Sequence, residues 1–312
     1  MNKKEAKRIL HETLGNYADK GTELLFVCPA CDHHKRKFSV NLIKNAFKCW
    51  VCDYRGRNLR RVVRRFGSYT QLQKWDQITG RTDLERYSDL FMEPVDEAGR
   101  QKIQLPKEFV SLCSNKIPAT GTYALKYLQS RGVTTEEIVR WKIGYCFSGE
   151  YRNRIVIPSF DEDGDVNYFV ARSFDNDWRK YLNPSLSRNI VFNELYIDWD
   201  SDIILVEGAF DAIKAGPNSI PLLGSTLREE SSLFQEIVKN DACIYLALDP
   251  DAEKKTNKII SNLLQYGIEL YHIDVTGFDD VGEMTKEEFL ERKQNASFIG
   301  DNDYLFMKSL NL

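Results

Sequence analysis

No apolar run in this 312-residue chain approaches the roughly 20 residues that a membrane-crossing helix needs, so no helical span is expected. The first residues, MNKKEAKRILHETL, are charged and lack the apolar stretch of an export signal, so secretion is not expected. No GxxxxGK[ST] phosphate-binding loop occurs, which argues against a fused P-loop helicase. Proline and glycine are few, and there is no internal repeat or low-complexity segment, which leaves an ordinary globular composition. The chain is long enough for two or three domains with separate cores. It also lacks a net excess of cations: the net charge is -3. That average hides an asymmetry. From Cys28 to Arg65 eleven Lys or Arg face two Asp, whereas the acidic residues lie mostly after position 75. A basic block suits a polyanion, and a carboxylate-rich second half suits divalent metal.

Hydrophobic periodicity predicts a helix over residues 1–20, with Ile9, Leu10 and Leu14 on one face. The runs LLFVC, KFSVNLI and AFKCW read as short strands between polar turns. A helix over about 57–74 follows, with Leu59, Val62, Val63 and Phe66 inward. Residues 76–106 read as an acidic linker, and 107–147 read as helical up to a bend near Gly144. RIVIPSF and VNYFVARSF flank an EDGD turn, a hairpin signal. From 202 onward, IILVE, CIYLALD and IELYHID alternate with helices. Short continuous apolar runs of that kind predict a buried, mainly parallel sheet in an α/β domain.

Seven cysteines without an export signal point to a reducing compartment, where paired cysteines are metal ligands before they are disulfides. Cys28-Pro-Ala-Cys31 and Cys49-Trp-Val-Cys52 form two CxxC knuckles, each able to turn two thiolates toward one point. Together they complete a tetrahedron around structural Zn²⁺, closed to chemistry; His33 and His34 are nearby substitutes. Cys113, Cys146 and Cys243 sit in apolar stretches and read as core thiols. The ribbon carries Lys35, Arg36, Lys37, Lys44 and Lys48, with Phe38, Phe47 and Trp50 between them. Cations beside rings suit single-stranded DNA, although such rings also serve as a small core.

The acidic residues fall at strand ends. Glu207 follows IILV, with Asp211 one helical turn on; Asp249 and Asp251 follow CIYLAL; Asp279, Asp280 and Glu283 follow IELYHID. In an open α/β sheet, ligands gather at the carboxyl ends of strands. Crowded carboxylates repel unless cations neutralise them, and hard oxygen donors favour Mg²⁺.

These residues carry a specific resemblance. CPxC…CxxC with Phe38-Ser39-Val40 before the second knuckle resembles the zinc-binding domain of bacterial and phage DNA primases of the DnaG type. ILVEGAFDA, LLGST and ALDPDA resemble their Toprim domain, and DDVGEMT resembles the acidic segment that closes it. YLQSRGVTTEEIVRWKIGY, RNRIVIPSFDEDGDVNYFVARSF and KYLNPS resemble the polymerase core between them. The likeness covers most of residues 24–290, in the family's order.

It implies a β-rich zinc ribbon with flanking helices over 1–75, a linker over 76–106 and the N-terminal part of a mixed α+β polymerase core over 107–200. An α/β Toprim domain over 201–300 and a tail over 301–312 complete the chain. Glu207, Asp249 and Asp251 would bind catalytic Mg²⁺ (or Mn²⁺), supported by Asp211 and Asp280. Arg152, Arg154, Arg172, Lys180 and Asn183 would line a template and nucleotide groove. RNR at a strand start would also place Arg152 and Arg154 on one face, able to grip phosphates. The implied activity is synthesis of short RNA primers, with single-stranded DNA and ribonucleoside triphosphates as partners, a replicative helicase beside them, and a cytoplasmic location.

There are departures. Cys31 stands where bacterial members usually have His, Pro250 where the acidic motif usually has Gly, and Gly282 where a second acid is expected. No segment here resembles the family's large C-terminal helicase-binding domain, so a compact, phage-type member is expected. The alternatives are a Toprim nuclease and a non-catalytic zinc-ribbon recombination mediator that binds DNA.

Overall fold

The N-terminal helix forms but stops short of the expected residue 20, because Gly15 ends it and Ala18–Asp19 pairs as a strand. In the computed structural model α1 spans Lys3–Leu14; the Asn2 side chain caps it by accepting the N–H groups of Lys4 and Glu5, and Gly15 ends it at φ 80°. Ala6, Ile9 and Leu10 turn inward together, one stripe of a 3.6-residue period. The structure describes residues 2–52, 54–79, 101–114, 116–175 and 177–300. It divides into two units, Met1–Met92 and Glu93–Leu312.

In the first unit five short strands form an antiparallel meander in chain order: β1 Ala18–Asp19, β2 Leu24–Phe26, β3 Phe38–Asn41, β4 Ala46–Cys49 and β5 Arg55–Gly56. The single expected helix after the ribbon is two, α2 Leu59–Phe66 and α3 Tyr69–Thr79. Gly67 breaks the run by leaving the helical region at ψ 178°. Leu59, Val62 and Val63 join Ile9, Phe26, Phe38, Phe47 and Trp75 in one core. Two of the eleven cations of the basic block are inside as well: Arg60 is 7% and Arg61 4% exposed. Arg60 makes a bidentate pair with Asp76 at 2.6 and 2.9 Å, which ties α2 to α3.

The second unit holds two sheets. The first has the order β6-β7-β8-β9, all antiparallel: β6 Phe109–Ser111, β7 Gly144–Cys146, β8 Arg154–Phe160 and β9 Val166–Ser173. The expected hairpin is β8–β9. The stretch expected to be helical is helical only in its middle, as α4 Gly121–Ser130 and α5 Thr135–Arg140, and its two ends pair as β6 and β7. Gly144 makes that pairing possible, since a Cβ there would meet the Phe109 ring at 2.3 Å and the Val110 carbonyl at 2.6 Å.

The second sheet has the order β11-β10-β12-β13-β14. Its strands β10 Ile203–Val206, β11 Ser219–Pro221, β12 Ile244–Ala247 and β13 Leu270–His272 run parallel, and β14 Ser297–Ile299 pairs antiparallel at the edge. The helices α6 Ala209–Ala215, α7 Ser232–Lys239, α8 Glu253–Gln265 and α9 Lys286–Gln294 connect them. Every residue of β10 and β12 is buried, as continuous apolar strands of a covered parallel sheet should be. No helix among the described residues is long and apolar enough to cross a membrane. Most of the expected linker (80–100) and the expected tail (301–312) lie outside the described residues.

Candidate active site and metal centre

The four knuckle cysteines converge within the first unit. Cys28 and Cys31 lie in the turn after β2, and Cys49 ends β4 ahead of Cys52. Their sulfurs all lie within 4.8 Å of one another, with Cys28–Cys52 at 3.8 Å and Cys31–Cys49 at 3.9 Å. Four thiolates about 2.3 Å from one tetrahedral ion stand about 3.8 Å apart, so the spacing fits a closed, sulfur-only metal site. The histidines are not part of it. His33 stacks on His34 and accepts the Lys35 N–H. Phe38 and Phe47 are core residues, whereas Trp50 is 68% exposed with the Lys48 ammonium 4.8 Å from its ring centroid.

The acidic site lies at the carboxyl ends of β10 and β12, which run side by side with Val206 opposite Ala247. Glu207 leaves β10, and Gly208 caps α6. Asp211, 8% exposed, accepts the Gly208 N–H at 2.8 Å and the Gly282 N–H at 3.0 Å, stitching two loops together. The second contact accounts for one departure from the family pattern. A Cβ on Gly282 would stand 3.0 Å from Asp211 Oδ1 and 3.1 Å from Asp280 Oδ1, so a side chain there would crowd both acids. Asp280 caps the 3-10 turn Val281–Glu283, and the Glu283 carboxylate turns back to accept the Asp279 N–H. A second departure also has a place: Pro250 opens the 3-10 turn Pro250–Ala252, where its fixed φ costs nothing.

The carboxylates feel one another. Burial, followed by the charges of Asp211, Glu207, Asp280 and Asp251, pushes Asp249 up to about 7. Burial and the charge of Asp280 push Asp211 up to about 6, against the pull of its two backbone donors. Two oxygens, Glu207 Oε1 and Asp249 Oδ1, are buried without a hydrogen-bond partner. Buried acceptors left unpaired are costly, and two of them on adjacent strand ends have the chemistry to bind a cation. The acids form an open rim and no closed cage: among the described residues only the cysteines bring three or more ligand atoms within 4.8 Å of one another. Carboxylate oxygens are hard donors of the kind Mg²⁺ takes, one or two at a time beside waters and phosphates. The Lys255 ammonium lies 2.5 Å from Glu207 Oε2.

A cationic wall adjoins the rim within the same unit. Arg172, on β9, stacks over the Tyr181 ring at 4.7 Å. Burial of the Tyr181 hydroxyl raises its pKa although the residue as a whole is 42% exposed; the charge of Asp211 adds to the rise, and Arg172 and Arg131 oppose it. Arg131 was not singled out by sequence reasoning. It follows α4, donates from Nε to the Tyr127 hydroxyl at 2.9 Å and lies over Phe210, the neighbour of Asp211. Its Tyr127–Arg131 spacing of i,i+4 was the available signal. Lys180 is exposed, while Asn183 spends its Oδ1 on the Ala171 N–H.

The expectation that Arg152 and Arg154 share a strand face is overturned. Strand β8 starts only at Arg154, because Asn153 takes a left-handed turn at φ 55°, and Arg152 is exposed in that turn. Arg154 is 2% exposed; it donates to the Arg179 carbonyl at 3.0 Å and to Asp177 at 2.6 Å. It braces the loop ahead of Lys180, which carries the 86%-exposed Trp178.

Against this geometry stand the relatives. No protein-family model matches the chain. The DNA primase of Staphylococcus aureus is 23% identical over 336 aligned positions, covering 89% of this chain and 55% of that protein. The DNA primase of Mycoplasma genitalium is 22% identical over 293, covering 75% and 48%. The chain is similar to DnaG-type DNA primases. A solved DnaG primase catalytic domain bound to single-stranded DNA matches at a TM-score of 0.51 and 19% identity, over 61% of this chain and 76% of that one. The catalytic core of the Escherichia coli primase matches at 0.51 and 18%, over 61% and 78%. These two carry the fold of the primase-like catalytic part. The chain spans about half the length of those two curated primases.

Proposed function

We propose that this chain is a DNA-dependent RNA primase, a nucleotidyltransferase that builds short RNA primers on single-stranded DNA. The observation that carries this reading is the Glu207/Asp249 rim, with its two buried unpaired oxygens, together with Arg131 lying over Phe210, the neighbour of Asp211. A nucleotide triphosphate needs both, metal for its oxyanions and cations for its phosphates.

In this reading Glu207, Asp249 and Asp251 hold Mg²⁺ or Mn²⁺, while Asp211 and Asp280 set the loops that carry them. When bound, the ions supply Lewis acidity to the attacking 3′-hydroxyl and the departing pyrophosphate. The chain's residues do the positioning. Arg131 and Arg172 neutralise phosphate charge, Lys180 and Arg152 extend the cationic track, and Arg154 and Asn183 hold the segments from which that track is built. Asp211, pinned by two backbone N–H groups, keeps the β10 turn against the 279–283 segment. The four cysteines hold Zn²⁺, and Trp50 with Lys48 offers a stacking surface to a template base. Ribbon, linker, polymerase core and Toprim segments follow the boundaries given above, and a replicative helicase is the partner that fits this activity.

The assay is direct. The chain, single-stranded DNA, the four ribonucleoside triphosphates and Mg²⁺ should give short labelled RNA. Degraded template without RNA would make it a nuclease, and DNA binding without turnover would make it a mediator.

A further inference from the structure

Lys255 lies in the first turn of α8, a place where a cation gains nothing from the helix, because the exposed N–H groups there carry partial positive charge. Its ammonium nevertheless turns inward and pairs with Glu207 at 2.5 Å, both side chains being about four-fifths buried at 19% and 18% exposure. The same carboxylate has its other oxygen buried and unpaired, as has Asp249. Helix stability therefore does not account for the lysine's position, and the charge of the rim does. Five acids gathered at one rim repel one another, and an ammonium tethered to the adjoining helix offsets part of that repulsion at fixed effective concentration.

We infer that Lys255 is an internal counter-ion of the acidic rim: it occupies the cation position on Glu207 in the metal-free protein and is displaced when a divalent ion binds there. The inference rests on the reading of the rim as a metal site. It makes Lys255 a positioning residue with two opposed effects. It steadies the metal-free fold, and it competes with the incoming ion, so that loading the rim requires the lysine side chain to swing away from Glu207.

Direct Mn²⁺ binding to the full chain, with its cysteine site already loaded with zinc, tests this by calorimetry or by electron paramagnetic resonance of free Mn²⁺. Lys255→Met should bind Mn²⁺ about three- to tenfold more tightly than the parent and melt at a lower temperature in magnesium-free buffer. Lys255→Arg should restore the parent's melting temperature. In a Glu207→Gln background, the gain from Lys255→Met should shrink to near unity. If Asp249→Asn abolishes Mn²⁺ binding but Lys255→Met binds as the parent does, or more weakly, the counter-ion role is overturned and the metal site stands. If the parent binds no Mn²⁺ that Asp249→Asn removes, both ideas fall. Should Lys255→Met not fold, Lys255→Gln carries the same comparison.

Discussion

The two candidate metal sites are built in opposite ways. In the ribbon, four soft ligands come from two knuckles, each within four residues of chain, and their sulfurs already stand at the spacing of a tetrahedral site. At the rim, five acids, of which Glu207, Asp249 and Asp251 are the proposed ligands, come from three segments spread over 74 positions, from Glu207 to Asp280, and stay further apart. The first arrangement is complete without substrate, and so it can only hold structure. The second is open, and so it can accept phosphates and water. Thiolates brought together by local turns need an ion to fold around; carboxylates brought together by a sheet are placed by a core that exists without one.

Removing one ligand from each site should therefore give opposite results. The largest effect belongs to Cys49→Ser. Structural zinc sites contribute on the order of 10 kcal/mol to folding, so the ribbon should lose its zinc and its cooperative melting, read by metal analysis and circular dichroism. Asp249→Ala should leave folding intact yet lower primer synthesis by about a thousandfold or more, read as labelled RNA per unit time. Near-normal synthesis by that variant would remove Asp249 from the site. Equal unfolding by both variants would erase the contrast between the two centres.

A smaller effect separates them by pH. Asp211 and Asp249 are raised to about 6 and about 7, above the unfolded carboxyl value of about 3.9. For an acid raised in the folded state, the native protein binds the extra proton between those values, so stability falls as pH rises through them. In magnesium-free buffer the second unit should melt higher at pH 5.5 than at pH 8. The part of that difference owed to Asp249 should vanish in Asp249→Asn, and saturating Mg²⁺ should suppress it in the parent. A parent and a variant with identical pH profiles would mean that Asp249 carries no raised proton affinity. The smallest effect is at the ribbon surface. Trp50→Ala should leave melting unchanged and weaken single-stranded DNA binding by about 1–3 kcal/mol if its ring stacks on a base. Unchanged affinity would leave the exposed ring without that role.

Local pattern foretold a good deal of this. The CxxC spacing named the four thiols, and the continuous apolar runs named β10 and β12 with the acids that follow them, because a short chain segment and its period are enough to set both. The RNR segment failed for the opposite reason. Alternation holds only inside a strand, and whether a strand begins at position 152 or 154 depended on the left-handed turn at Asn153 and on the loop that pairs with Arg154. The ends of the 107–147 stretch carry a helical pattern yet form strands, because β6 and β7 pair with each other across about 35 residues, a contact no local period records.

What the amino-acid order determined alone is the donor chemistry of each candidate centre: sulfur in closely spaced pairs, and oxygen just past apolar strands. Only tertiary packing decided which charges meet. It sent Arg154 inward, set Arg131 over Phe210 beside Asp211, used the bare backbone of Gly282 to hold that same Asp, and laid Lys255 on Glu207 across 48 positions of sequence. Charge pairing acts over a few ångströms, and those distances exist only once the sheet has fixed where each loop ends.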